Sequence, residues 1–236
     1  MNKLLIAVMM MTFAESKLAA ARGDYVILLH GLARTPLSMK RIEWTLRKQN
    51  YRVINVGYPS TRVSIQDAAD HWLDDVLKTR VTDPSAKIHF VTHSLGGIVL
   101  RQYLTNHKIP NLGRVVMMAP PNQGSELADR LRDNCFYRLA TGPAGQQLGT
   151  AESSVPKQLG PVDFKLGVIA GDRSLNPLFS VWIPGADDGK VSVRSARMPG
   201  ADFLLVHKSH TWMAWSAGVN CEISQFLRNG HFVNQS

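Results

Sequence analysis

Ser94 stands in Thr92-His93-Ser94-Leu95-Gly96-Gly97, between two segments of different character. Lys87-Ile88-His89-Phe90-Val91 reads as a buried strand, and Ile98-Val99-Leu100-Arg101-Gln102-Tyr103 reads as a helix. A serine on such a strand-to-helix turn projects its hydroxyl clear of the backbone, as a nucleophile must, provided its neighbours are small enough for strand and helix to approach. Gly96 and Gly97 supply that room, and the free N–H groups at the helix start favour a developing oxyanion. The common pattern has glycine two residues before the serine; here that place is held by the β-branched Thr92. A second feature of the same kind is Asp24-Tyr25-Val26-Ile27-Leu28-Leu29, an apolar run that ends directly in His30-Gly31-Leu32. Alone, His30-Gly31 is equally well a turn that ends a strand.

Such residues need a scaffold, and the rest of the chain alternates strands with helices. Thr35 and Pro36 mark the start of a helix to about Gln49, followed by a strand from Arg52 to Val56. Ser64 with Asp67 resembles a capping box, and Ile65, Ala68, Ala69, Leu73 and Val76, with Trp72 and Leu77, make a helical apolar face. After the serine come strands at Arg114 to Met118, Lys165 to Ala170 and Phe203 to Val206, and a closing helix from Thr211 to Phe226. This alternation predicts an α/β fold: a mostly parallel central sheet with helices on both faces and reactive loops at the carboxyl ends of the strands.

With 236 residues, 44% hydrophobic and 19% charged, the chain suits one α/β domain and contains no internal repeat. Its N-terminus differs in kind. Lys3 precedes an almost wholly apolar stretch from Leu4 to Ala14, and Ala19-Ala20-Ala21 offers a cleavage site before Arg22. Residues 1–21 therefore read as a secretory signal, 22–236 as the α/β domain, and the expected location is periplasmic or secreted; an uncleaved interfacial helix is the alternative. Cys135 and Cys221 form one disulfide in an oxidising compartment if their side chains meet, or remain two buried thiols. No cysteine or histidine spacing suggests a metal, and no cofactor is expected. The net charge of +9 is scattered, as where Arg130, Arg132 and Arg138 alternate with other residues. Without a nucleic-acid motif, this excludes nucleic acid as the expected partner and leaves a solvated surface with weak attraction to acidic membranes.

His30-Gly31-Leu32, Thr92-His93-Ser94-Leu95-Gly96-Gly97 and Ala119-Pro120-Pro121-Asn122-Gln123-Gly124-Ser125-Glu126-Leu127-Ala128-Asp129 together resemble bacterial lipases and esterases of the α/β-hydrolase superfamily. The resemblance runs from about Tyr25 to Phe226 and is weakest between Asp133 and Phe164. It implies the α/β-hydrolase fold, with Ser94 as nucleophile and an oxyanion hole made by the backbone N–H groups of Leu32 and Leu95. The family order of serine, acid, histidine makes His210 the base, in the loop between the last strand and last helix, with His207 as competitor. His107 lies about three turns along the nucleophile's own helix and His231 beyond the final one. Asp188, in Ala186-Asp187-Asp188-Gly189-Lys190-Val191, resembles the family's acid; Asp172 is its competitor, and Asp187 a solvated neighbour or turn former. No acid directly follows His210-Thr211, so the calcium site of some bacterial lipases is not expected. The resemblance also implies a lid or cap at about residues 120–164, with an amphipathic helix from Ser125 to Leu139 and a turn or hinge at Gly142-Pro143-Ala144-Gly145; a mobile lid and a fixed cap are both open. The implied activity is hydrolysis of lipid-like or small carboxylic esters. A thioesterase, an acyltransferase with the same triad and a noncatalytic binding member of the fold are the alternatives.

Overall fold

The computed structural model describes residues 23–233. Six short apolar runs form one sheet: β1 (Tyr25–Leu29), β2 (Arg52–Val56), β3 (Ile88–His93), β4 (Leu112–Met118), β5 (Leu166–Gly171) and β6 (Asp202–Val206). Their order is β2-β1-β3-β4-β5-β6, and all five pairings are parallel. Alternate residues of a strand face opposite sides. Ile27 and Leu29 accordingly join Phe90, Val115 and Val168 in one apolar cluster, while Val26 and Leu28 join Val91, Val116 and Ile169 in another. All five residues of β1 are buried, as a parallel strand covered on both faces requires. Each fully buried aliphatic side chain contributes about 1.5–3 kcal/mol.

Helices cover both faces. α1 (Lys40–Arg47) and α9 (Ala217–Asn229) pack on the Leu28 side, and α2 (residues 65–80) and α3 (Leu95–Asn106) on the Ile27 side. The Ser64–Asp67 capping box is present, and Ala68–Leu73 winds as a π-helical segment within α2. Two expected boundaries shift. Pro36–Met39 is a 3-10 turn before α1, and the Thr35 side chain caps nothing. The closing helix begins at Ala217, not Thr211: the Ser216 side chain caps it, and Asn220 Nδ2 donates to the carbonyls of Ala214 and Ser216. Residues 211–216 are thereby left as a turn and a short 3-10 helix, Met213–Trp215.

The chain runs outward from β1 to β2 and then crosses to β3 on the other side of β1. Strand order thus reverses between β1 and β3, and the crevice at their carboxyl ends is where such sheets bind ligands. The residues emerging there are His30-Gly31 and Ser94.

Residues 120–164 hold three helices, α4 (Glu126–Leu131), α5 (Cys135–Gln146) and α6 (Val155–Gln158); α7 (Pro177–Ser180) and α8 (Val193–Ala196) follow later. The single helix expected over Ser125 to Leu139 is two, because the Asn134 side chain accepts the Tyr137 N–H and starts a new helix. Within α5, Gly142 has φ 60°, and a Cβ there would collide with the Thr61 carbonyl. Cys135 and Cys221 are free and exposed, so neither the disulfide nor the buried-thiol expectation holds. The signal expected at residues 1–21 lies outside the described residues.

Candidate active site

Ser94 joins β3 to α3 with φ 53° and ψ −122°, a conformation that costs a non-glycine residue on the order of 1–3 kcal/mol. Close packing enforces it. The Ser94 N–H donates to the Met118 carbonyl at 2.8 Å, and a Cβ on Gly96 would lie 2.8 Å from the His30 carbonyl oxygen. Thr92, in the place of the usual glycine, fits because Gly97 faces it: a Cβ on Gly97 would stand 3.2 Å from the Thr92 hydroxyl.

His210 follows β6, and Asp188 lies in the turn before α8. His210 Nδ1 and Asp188 Oδ2 are 2.8 Å apart, and the His210 N–H donates to the Asp188 carbonyl at 2.9 Å. The other carboxylate oxygen, Oδ1, accepts the N–H groups of Lys190 at 3.0 Å and Val191 at 2.9 Å. Both side chains are buried. A carboxylate is an acceptor only, so Nδ1 carries the proton and Nε2 is left as the basic nitrogen. Ser94 and His210 line one pocket of about 170 Å³, whose remaining wall is mostly apolar and includes Leu127, Tyr137, Leu148 and Phe179.

The competitors pair with each other instead. His207 Nδ1 is 2.8 Å from Asp172 Oδ1, but the His207 side chain is 72% exposed, against 5% for His210. Asp187 is buried rather than solvated, its Oδ1 accepting from Ser180 Oγ and the Gly189 N–H. His107 stacks on Tyr103 and lies 3.3 Å from Asp70, and His231 is exposed. Gly31 and Leu32 line the pocket. Among the described residues, neither the Leu32 nor the Leu95 N–H donates to a protein acceptor. Leu95 opens α3.

Several residues escaped the sequence reading. His93 donates from Nε2 to the His210 carbonyl at 3.0 Å, with the two rings 4.8 Å apart. Burial, then the neighbouring His210, holds the His93 pKa well below the usual imidazole range, so the ring is neutral. Tyr58 stacks on His30 at 4.3 Å and donates its hydroxyl to the His30 carbonyl, while burial lowers the His30 pKa. Arg34 and Lys190 also line the pocket. Their proximity to Leu32 and Asp188 in sequence was the available signal. Finally, buried Arg101 of α3 donates to the carbonyls of Asn122, Pro156 and Gly160, tying both ends of the excursion to the helix that follows Ser94.

The chain belongs to the alpha/beta hydrolase family, whose model matches residues 26–233. It is similar in structure to the mature lipase BlEst2 of Bacillus licheniformis, at 20% identity over 89% of this chain and 92% of that one, with a TM-score of 0.67. A thermophilic esterase from Thermogutta terrifontis is 17% identical over 89% of this chain and 92% of the esterase, with a TM-score of 0.59. The metagenomic carboxyl esterase MGS0156 is 19% identical over 80% of this chain and 64% of its own length, with a TM-score of 0.65. Among curated proteins, no sequence matches this chain.

Proposed function

We propose that the chain is a serine hydrolase of carboxylic esters, acting through an acyl-enzyme. Ser94 attacks the ester carbonyl while His210 Nε2 takes its proton. Asp188 orients the imidazole and stabilises the imidazolium, and the N–H groups of Leu32 and Leu95 hold the oxyanion. His210 returns the proton to the leaving alcohol; water, activated by the same nitrogen, then releases the acid. The observation that carries this reading is the buried 2.8 Å His210–Asp188 contact, whose imidazole lines the same pocket as the strained Ser94. The lipase and esterases that share the fold support the ester as the bond cleaved.

A dry cavity of about 150 Å³ holds a benzene ring. The 170 Å³ pocket therefore suits an acyl chain of about six carbons before its cover must shift. Phe136, Leu139, Leu178 and Val181 stand exposed on α5 and around α7, which also supply Tyr137 and Phe179 to the pocket, and these favour transient contact with a lipid surface. We propose export on the pattern of residues 1–21, with the mature chain starting near Arg22. A panel of p-nitrophenyl esters of increasing chain length, run with water and with added alcohols, tests ester hydrolysis against acyl transfer. Turnover to free acid supports hydrolysis; selective transfer to an alcohol contradicts it.

A further inference from the structure

Two cations enter the pocket from opposite motifs. Arg34 follows the His30-Gly31-Leu32 loop and Lys190 follows Asp188-Gly189, and both line the cavity that contains Ser94 and His210. Among the described residues, neither forms an ion pair with a carboxylate side chain of its own. Arg34 Nη2 donates to Thr211 Oγ1 at 3.0 Å, which aims the guanidinium beside His210 and leaves the rest of its five N–H donors uncommitted among the described residues. For Lys190 the neighbouring carboxylate is Asp188, whose Oδ2 is taken by His210 and whose Oδ1 is taken by two backbone N–H groups. Lys190 keeps solvent-exposed surface, yet burial beside the pocket, then the charge of Arg34, holds its pKa below the usual lysine value. The nearby Asp188 carboxylate offsets part of this repulsion, but its oxygens are engaged by His210 and by backbone N–H groups and hydrogen-bond to neither cation's side chain among the described residues. The rest of the wall is mostly apolar, so the cavity joins a hydrocarbon compartment to a cationic edge.

We propose that Arg34 and Lys190 form an anion subsite next to Ser94, and that the preferred substrates are esters carrying a carboxylate or phosphate within reach of the scissile carbonyl. This rests on the serine-hydrolase reading. A planar guanidinium and a flexible ammonium suit oxyanions of either kind, the first through paired N–H donors and the second as a point charge. The anion is held and not consumed; the ester carbonyl beside it is what Ser94 attacks. A purely apolar acyl site would gain nothing from two unpaired cations, since taking them partly out of water is costly.

The test compares esters matched in length and differing in charge. One pair is mono-p-nitrophenyl glutarate and its methyl ester; the other is 1-hexanoylglycerol-3-phosphate and 1-hexanoylglycerol. Wild-type kcat/KM should favour the anionic member of at least one pair by roughly tenfold or more, a preference that shrinks as salt rises. Discrimination in the first pair identifies a carboxylate, and in the second a phosphate headgroup. Arg34→Gln, Lys190→Gln and the double variant should each lower the anionic-to-neutral ratio, with the double variant bringing it near one. Equal rates on both members of both pairs, or an unchanged ratio in the double variant, would overturn the subsite. Absence of fluorophosphonate labelling at Ser94 would remove the hydrolase reading and the subsite with it, whereas labelled enzyme with equal rates removes the subsite alone.

Discussion

At Ser94 a non-glycine residue is held at φ 53°, and stability and chemistry pull in opposite directions there. Ser94→Gly should therefore raise stability by about 1 kcal/mol in urea unfolding, because glycine adopts this backbone without strain, while turnover disappears. The acid is the second test. Asp188→Asn should keep the fold and lower kcat by about 10⁴-fold, since an amide cannot support the imidazolium. Asp172→Asn and His207→Ala should each leave kcat within about twofold, because that pair sits on the surface with His207 exposed. Equal damage from the two aspartate variants would contradict the assignment. The sequence showed Ser94 plainly, since strand, turn and helix are local. It favoured Asp188 over Asp172 and His210 over His207 only through the family resemblance, because the choice depends on which loops beyond β5 and β6 are buried together. Parallel pairing across 35 residues of sequence brings Asp172 to His207, just as a turn beneath the same strands brings Asp188 to His210.

Among the elements, the turn at Ser94 depends on how closely α3 approaches β1. A methyl group on Gly96 would press into the carbonyls of Leu29 and His30, backbone that cannot swing aside. Gly96→Ala should cost about 1–3 kcal/mol and most of the activity, read by urea denaturation and ester turnover. At Gly97 the added methyl meets side chains at 3.2 Å, so Gly97→Ala should be the milder change. Buried strands were legible as continuous apolar runs, and all six lie within two residues of their expected positions. Helix boundaries were less so, because side-chain caps decide them: Asn134 breaks the helix expected over 125–139, and Ser216 starts the last helix later than Thr211. The π-helical segment of α2 had no periodic signature to announce it, since its apolar face reads as an ordinary helix. Gly142, expected as a turn or hinge, is a kink packed against the Thr61 carbonyl.

For the molecule as a whole, the buried imidazoles of His30, His89 and His93 set a stability limit in acid. Burial holds the pKa of His30 and His93 below the ~6.5 of an unfolded chain. Between the folded and unfolded values the unfolded chain binds more protons, so stability is full above about pH 6.5 and falls as pH drops toward the folded pKa. Urea midpoints measured from pH 8 to pH 5 should show that decline, and a His30→Gln variant should lessen it while His93 keeps the larger part. Substrate preference is also a property of the assembled cavity. Each methylene added to the acyl chain should improve kcat/KM by up to about 0.8 kcal/mol until about six carbons fill the pocket; best turnover on acetate would contradict this. The sheet and its alternation could be read from the chain, but the pocket could not, because its wall comes from β–α loops and the 120–164 excursion far apart in sequence. Covalent capture decides whether Ser94 is a nucleophile activated by His210. Incubation of the purified protein with a fluorophosphonate, followed by peptide mass mapping, should give one modified residue, Ser94, with labelling lost in Ser94→Ala and much slowed in His210→Ala. An unlabelled Ser94 in folded protein, or hydrolysis that survives in Ser94→Ala, would contradict it.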